Sequence, residues 1–518
     1  MPQQKAHIPG ASENTLNAHD SDQSREYREY VRPFDSYEQP HRSVGFWDSR
    51  LKKVRGEVAL LWARTLILLV VFIIGVLSLY WAVLYHIPQN LRSLVVHVVD
   101  FDGQMAPYNN VTPLVGPTVT RIAQQIFDSP SQSVGYTVVP PSQFNYDPIA
   151  VRQAVYDWHS YAAIIVNSNA TALLQEAVVI GNASYDPTGA IQFIIQSARQ
   201  ESTYYTYIVP QLESLARQFA AEFGPSWSQS VLNNDSLSRE LLARAPAAVN
   251  PGISPLQIDL RPFAPAAATP AVSIGLIYLI IVAFFSFAFF LPIHMKFIIP
   301  AGHPPLHFWQ LIIWRWASTV ALYLCISLTY SFVSLAFQIP FWPEPGPTTD
   351  VAFNATAYGR GSFVVYWMVN YVGMIALGLA CENMAMIIGH PWTSAWLIFW
   401  VITNVSTSFY SLDLAPGFFK WGYAWPLYHV VMASRQIVFD LHSKIGLNFG
   451  VLFTWAAVNS AFFPFCCYFM RWKTEREKRN AEKAADSYTI KTTEGEKKFP
   501  KQAGTKPPIR NRGFMRGV

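Results

Sequence analysis

The stretch His97-Val-Val-Asp100-Phe-Asp102-Gly103 sets an imidazole and two carboxylates within seven residues. Metal ligation or an acid–base pair could be built from such a spacing. Two carboxylates fall short of a calcium loop, which needs a longer ladder of Asp or Asn and a distal Glu. The neighbours give a simpler reading. Val95 and His97 fall on one face of a strand and Val96 and Val98 on the other; Asp100 ends it, and Asp102-Gly103 signals a turn. The expectation is a strand end and turn that binds no metal, where Asp102→Ala costs at most about 1 kcal/mol.

Other chemistry-bearing patterns are missing from the sequence. It has no G-x-x-x-x-G-K-[ST], no G-x-S-x-G, no H-E-x-x-H and no paired C-x-x-C. Cys325, Cys381, Cys466 and Cys467 lie in or beside apolar runs, so neither a disulfide framework nor a zinc knuckle is written here. The expectation is a chain that is not an enzyme, with no catalytic residue, no cofactor and no metal. Two ionisable residues stand out instead: Arg315 in WRWAS and Glu382 in ACENM, both near the cytoplasmic ends of apolar runs. The simpler reading has Arg315 snorkelling to the interface between Trp314 and Trp316. The alternative is an Arg315–Glu382 pair between helices, shaping a pathway.

The elements that position these residues are membrane spans. Of 518 residues, 51% are hydrophobic and 14% charged, where about a quarter is usual, and mean hydropathy is +0.18. Six runs have roughly the length a bilayer core requires: Thr65–Tyr85, Ala271–Leu291, Ala317–Phe337, Phe363–Met384, Trp392–Phe409 and Phe449–Met470. Trp392–Phe409 is short and contains Asn404. The aromatic and proline-rich stretch near 414–448 reads as a segment that re-enters the outer leaflet and returns; a folded outside loop is the alternative. Residues 1–45 read as a disordered cytoplasmic tail. In 46–64, Trp47, Leu51, Val54, Val58 and Leu61 make an apolar stripe on a basic helix, suited to the headgroup layer. The alternative there is a cytosolic helix running straight into the span at 65–85. The membrane region 271–470 is followed by a basic cytoplasmic tail, 471–518.

Charge orients the chain. Residues 471–518 hold 14 Lys+Arg against 6 acids, Arg and Lys cluster before the first span, and no lysine occurs between Lys53 and Lys296. The positive-inside rule then places both termini in the cytoplasm and 86–270 outside. Lys420, Arg435 and Lys444 run against the rule. The outside segment carries N-x-S/T triplets at Asn110, Asn169, Asn182 and Asn234, and Asn354 follows in the next outside loop. Asn404 matches too, but lies within a span. Segment 86–270 reads as an extracytoplasmic α/β domain: strands at Leu94–Val99, Tyr136–Val139 and Ala162–Val166, helices at Val119–Phe127 and Ile149–Trp158, and a long amphipathic stretch near Gly189–Phe223. Ala245–Thr269, rich in Pro and Ala, reads as a linker.

The fold class is thus a polytopic α-helical membrane protein of about six spans, with an α/β domain between the first two. One span, an outside domain opening with VVDFDG, five more spans and PLYHVVMASRQIVFD before the last resemble the membrane domain of type-2 ABC exporters, particularly the bacterial YhgE/Pip type. With the polar tail, the basic WDSRLKKVR, the Pro-rich linker and the basic C-terminus, residues 45–472 more closely resemble the fungal nitrosoguanidine-resistance protein family. That resemblance implies a plasma-membrane protein linked to resistance to toxic compounds, by export or by control of lipid distribution. It supplies no catalytic or ligand residues. Export would need a separate ATPase, a partner membrane protein or an ion gradient. The other reading is a non-transporting organiser that binds a partner through its outside domain. Membrane lipids and a second copy of the chain are further expected partners, and nucleic acid is not.

Overall fold

The computed structural model describes residues 43–130, 132–249, 253–299, 302–341, 351, 358–389 and 391–496, with side chains to 483. Most of the tail expected at 1–45, Asn354 and the end of the basic tail lie outside the described residues. The described residues fall into two units that divide between Val71 and Phe72.

In the first unit Arg55 lies over the rings of Phe46 and Trp47, at 5.7 and 5.6 Å, and Arg50 pairs with Asp48 at 2.9 Å. Helix α1 runs Ser49–Tyr85. It carries on through Arg64 and Thr65 without a break, so no separate interfacial helix covers 46–64. Nothing in LLWARTLIL stops a helix, and the basic stretch forms its first turns.

The second unit carries a five-stranded sheet: β1 Val95–Asp100, β2 Gly135–Val138, β3 Ala162–Val166, β4 Ile191–Ile195 and β5 Pro255–Asp259. Their order is β2-β1-β3-β4-β5, with β4 antiparallel to β3 and the other neighbours parallel. In register, Val96 sits beside Ala162 and Val98 beside Ile164. Between the strands come α2 Val115–Asp128, α3 Pro148–Tyr156 and α4 Ala170–Ile180, and α5 Val209–Leu232 follows β4. Alternation divides the sheet's two faces. Val96, Val98 and Ile164 pack with α2, α4 and α5 through Val119, Leu174 and Leu212. Val99, Ala163 and Ile165 pack with α3 through Val151 and Val155.

Strands β4 and β5 correct the sequence reading. Ile191, Ile194 and Ile195 of IQFII suit the helical spacing expected of the amphipathic stretch. Five β-branched and aromatic-rich residues after Gly189 are instead a buried strand. PLQID, within the expected linker 245–269, is the edge strand, and its proline stands at the first position, where no ladder donor is missed.

The membrane part holds α6 Ile277–Met295, α7 Phe308–Ala336, α8 Ser362–Ile388, α9 Thr393–Ser408, α10 Pro426–Phe439 and α11 Ile445–Glu496. Among the described residues five helices are long and apolar enough to cross a membrane: α1, α6, α7, α8 and α11. The sixth expected span is α9. Its 16 residues reach about 24 Å, short of a hydrocarbon core of about 30 Å. Its ends nonetheless lie at opposite ends of the bundle. At its start, Lys473 of α11 donates to Ile388 O at 3.1 Å. Just past its end, Ser411 bonds Tyr161 of the sheet region at 2.7 Å. Helix α8 is the most buried of the long helices, and small residues let its neighbours close in. A Cβ on Gly378 would stand 2.5 Å from Tyr323 Oη and 2.7 Å from Ala283 Cβ.

Helix α10 starts and finishes at one end of the bundle. Before its start, Tyr423 donates to Asp413 at 3.1 Å; after its end, Arg261 pairs with Asp440 at 2.9 Å, so both ends stay near the sheet. Asn404 on α9 holds the near end, since its Oδ1 accepts from Leu427 N at 3.2 Å. Arg435, fully buried, ties α10 to the sheet region. It pairs with Glu201 at 2.6 Å and donates to the carbonyls of Val272, Ala198 and Arg199 at 3.2 Å each.

Candidate functional site

The pair opening the sheet behaves differently from a plain turn. Strand β1 ends at Asp100, and Gly103, at φ +64°, makes the turn. Asp102, however, is buried. Its carboxylate accepts from Gly116 N at 3.2 Å, Thr171 N at 2.9 Å and Thr171 Oγ1 at 2.5 Å. Gly116 and Thr171 stand in the first turns of α2 and α4, so one carboxylate satisfies one free N–H of each helix and sits at their positive ends. The expected small cost of Asp102→Ala is therefore corrected upward. Asp100 has one donor, Asp102 N at 2.9 Å, and burial pushes it up to about 6. Gly116 is required beside it, because a Cβ there would collide with the Asp100 carboxylate.

Arg315 and Glu382 come together. Arg315, on α7, does not reach for the interface: it is 2% exposed, with Nη2 2.6 Å from Glu382 Oε1 on α8. Thr319 lies 3.5 Å from Glu382 Oε2, and the guanidinium stands over Phe463 of α11 at 5.4 Å. The flanking tryptophans turn elsewhere. Trp314 donates to His294 Nδ1 at 3.2 Å, and Trp316 to Ser460 Oγ at 3.0 Å. A cavity of about 10 Å³, one water's worth, is lined by the pair with His294, Ser286 and Tyr323. This is a polar core joining α6, α7, α8 and α11 within apolar surroundings.

The triplet asparagines are spread over the sheet region. Asn110, Asn182 and Asn234 are exposed and Asn169 is half-buried at the start of α4. Asn182 and Asn234 each accept from the backbone of the serine two residues on, at 2.9 and 3.0 Å.

A further site was not foreseen. Where the sheet region meets α9, α10 and α11, a cavity of about 150 Å³ is lined by Trp158, Tyr161, Arg199, Gln200, Asp413 and Lys444, among others. It adjoins a wider cleft of about 930 Å³ reaching Arg92, Ser160 and Lys420. Arg199 lies over the rings of Tyr161 and Trp158, at 3.8 and 4.9 Å, and donates to Ser160 O at 3.1 Å. Asp413 accepts from the hydroxyls of Tyr161 and Tyr423. The sequence held one signal for this site. Lys420, Arg435 and Lys444, which break the charge rule, are all gathered at this junction.

Comparison with known proteins agrees with a membrane protein. The family model described as a protein of unknown function (DUF3533) matches residues 65–461, and the chain belongs to that family. It is 26% identical over 448 residues to an uncharacterized endoplasmic reticulum membrane protein of Saccharomyces cerevisiae, covering 82% of this chain and 83% of that one. No solved structure matches. With five helices long enough to span, the chain is an integral membrane protein of this family.

Proposed function

We propose that this family member moves, or helps to move, a lipid or toxic amphiphile across its membrane, and so contributes to resistance to toxic compounds. The observation that carries this reading is the buried Arg315–Glu382 pair in the bundle, beside a cavity the size of one water. A charge at depth costs roughly 2.5–3.5 kcal/mol on insertion scales, so ionisable residues among spans are rare, pair with one another and mark substrate or ion pathways. The resemblance to type-2 exporters and to the nitrosoguanidine-resistance family supports the same reading. The sequence carries no phosphate-binding loop, so energy comes from a partner ATPase or an ion gradient, or movement runs downhill as lipid scrambling. The chain performs no covalent chemistry. It crosses the membrane six times, α9 being the short crossing, and its sheet domain faces away from the cytoplasm. The yeast relative is named for the endoplasmic reticulum membrane, and that membrane, before the plasma membrane, is where this chain is to be sought.

Reconstitution of the purified chain into liposomes bearing fluorescent lipid tests the reading. Movement of lipid between leaflets, slowed in Glu382→Gln, is the expected result. An inactive pure protein that captures a stable partner from membranes would replace this reading with the organiser.

A further inference from the structure

We propose that the cavity between the sheet region and the membrane helices seats an anionic headgroup, a phosphate or carboxylate carried by a membrane amphiphile. Charge gives the first argument. Arg92, Arg199, Lys420 and Lys444 line the cavity and its outer cleft, and among the described lining residues Asp413 is the one acid. Asp413 is already engaged by Tyr161 and Tyr423.

Unpartnered donors give the second. Gln200 lines the inner cavity and is 3% exposed, yet neither its amide nitrogen nor its oxygen has a partner among the described residues. The same holds for Ser160 Oγ and Trp158 Nε1, on residues that line the outer cleft. An indole N–H can only donate. A buried donor left unmade costs about 1–3 kcal/mol, so a ligand rich in acceptors is the one this wall suits.

Preorganisation is the third. The guanidinium of Arg199 is stacked on Tyr161 and Trp158 and pinned to Ser160 O; Lys444 Nζ stands 4.7 Å from the Trp158 ring centroid. The aromatic rims hold both cations, so little side-chain freedom is lost on binding. Position is the fourth. Tyr410, Tyr423 and Tyr428 also line the cavity, near the end of α9, the kind of position at which Tyr and Trp meet headgroups. An inner volume of about 150 Å³ takes a headgroup, and lies below the roughly 300–1,000 Å³ of a site for a whole drug-sized molecule.

This inference rests on the reading of an amphiphile-handling protein, but binding is measured apart from movement. The full-length protein is placed in nanodiscs of phosphatidylcholine, alone or with phosphatidic acid, and in a third arm with soluble glycerol phosphate. Bound lipid is counted by native mass spectrometry, and thermal stability is followed in parallel. The expected result is preferential retention of phosphatidic acid. Lys444→Gln and Arg199→Gln should weaken it about tenfold, the loss of one hydrogen bond to a charged group. Lys296→Gln, a cation outside the cleft, should leave it unchanged. Gln200→Leu should weaken it while preserving or raising stability without the ligand. Protection by glycerol phosphate at equal concentration would overturn the membrane source and assign the same anion site to a soluble phosphate. Equal retention of neutral and acidic lipid, or cleft variants that bind as the parent does, would overturn the proposal. Should Arg199→Gln not fold, the exposed Lys444 still decides. Headgroup binding lost with lipid movement intact would count against this site alone; movement absent with binding intact would count against the transport reading alone.

Discussion

Asp100 and Asp102 stand two residues apart at the end of one strand and play different parts. Asp102 collects three donors from the first turns of two helices. Replacing it with alanine leaves two buried backbone N–H groups without a partner, at about 1–3 kcal/mol each. Asp102→Ala is therefore expected to lower the melting temperature of the full chain far more than a turn substitution would, and an unchanged melting temperature would show that the helix ends find other partners. Asp100 has a folded pKa near 6, above its ordinary 3.8. A raised carboxyl contributes stability fully below about pH 4 and loses it as pH rises through 6. Asp100→Asn keeps the acceptor for Asp102 N and removes the charge. Between pH 4 and 7 the parent should lose more stability than the variant; parallel slopes would mean that Asp100 ionises freely. The sequence showed the strand and turn at these residues, because alternation and Asp-Gly are local signals. It did not show the hub, because the donors come from Gly116 and Thr171, the latter 69 residues away.

Helices α7 and α8 are antiparallel neighbours, which brings Arg315 near the start of one to the depth of Glu382 near the end of the other. Breaking a buried pair by removing one partner costs about 3–5 kcal/mol, whereas replacing both by apolar groups is often neutral. Arg315→Met and Glu382→Leu alone should each destabilise the protein, and the double variant should recover stability. If the pair serves transport, the double variant will be stable and still inactive in liposomes. Full activity in the stable double variant would reduce the pair to a structural contact. At this scale the long apolar runs were legible, since most residues of a span are apolar. Elements whose signal is shared were not. Ile191, Ile194 and Ile195 satisfy helix and strand spacing alike, and only pairing with β3 decides. Arg315 looked suited to snorkelling because its flanking tryptophans suggest an interface; the carboxylate that turns it inward is 67 residues away.

The second unit has two ends, set by the contacts of its connections. At one end the sheet region meets Leu414 through Asn90 and Asp413 through Tyr161, while Arg261 reaches Val351 and Asp440. At the other end Arg471 lies over Phe308 at 4.8 Å and Lys473 reaches Ile388. Connections therefore alternate between the ends as α6, α7, α8, α9 and α11 succeed one another, and α10 starts and finishes at the sheet end. The basic tail continues α11 from the end away from the sheet, where the positive-inside rule wants cytoplasm. The cations that offend the rule need not be topological signals. Arg435 is consumed by Glu201 and three carbonyls, while Lys420 and Lys444 line the cleft. This predicts that the sheet domain is luminal and that glycans reach it. Asn110, Asn182 and Asn234, all exposed on it, should each lose one glycan-sized step in mass when changed to Gln, whereas Asn404, buried against Leu427, should lose none. Sealed vesicles with the cytoplasmic face outward should protect residues 95–259 from added protease and lose the tail after Lys473. A glycan-free chain alone would leave sidedness to the protease; a sheet domain digested in sealed vesicles would invert the orientation and put the cleft at the cytoplasmic headgroup layer.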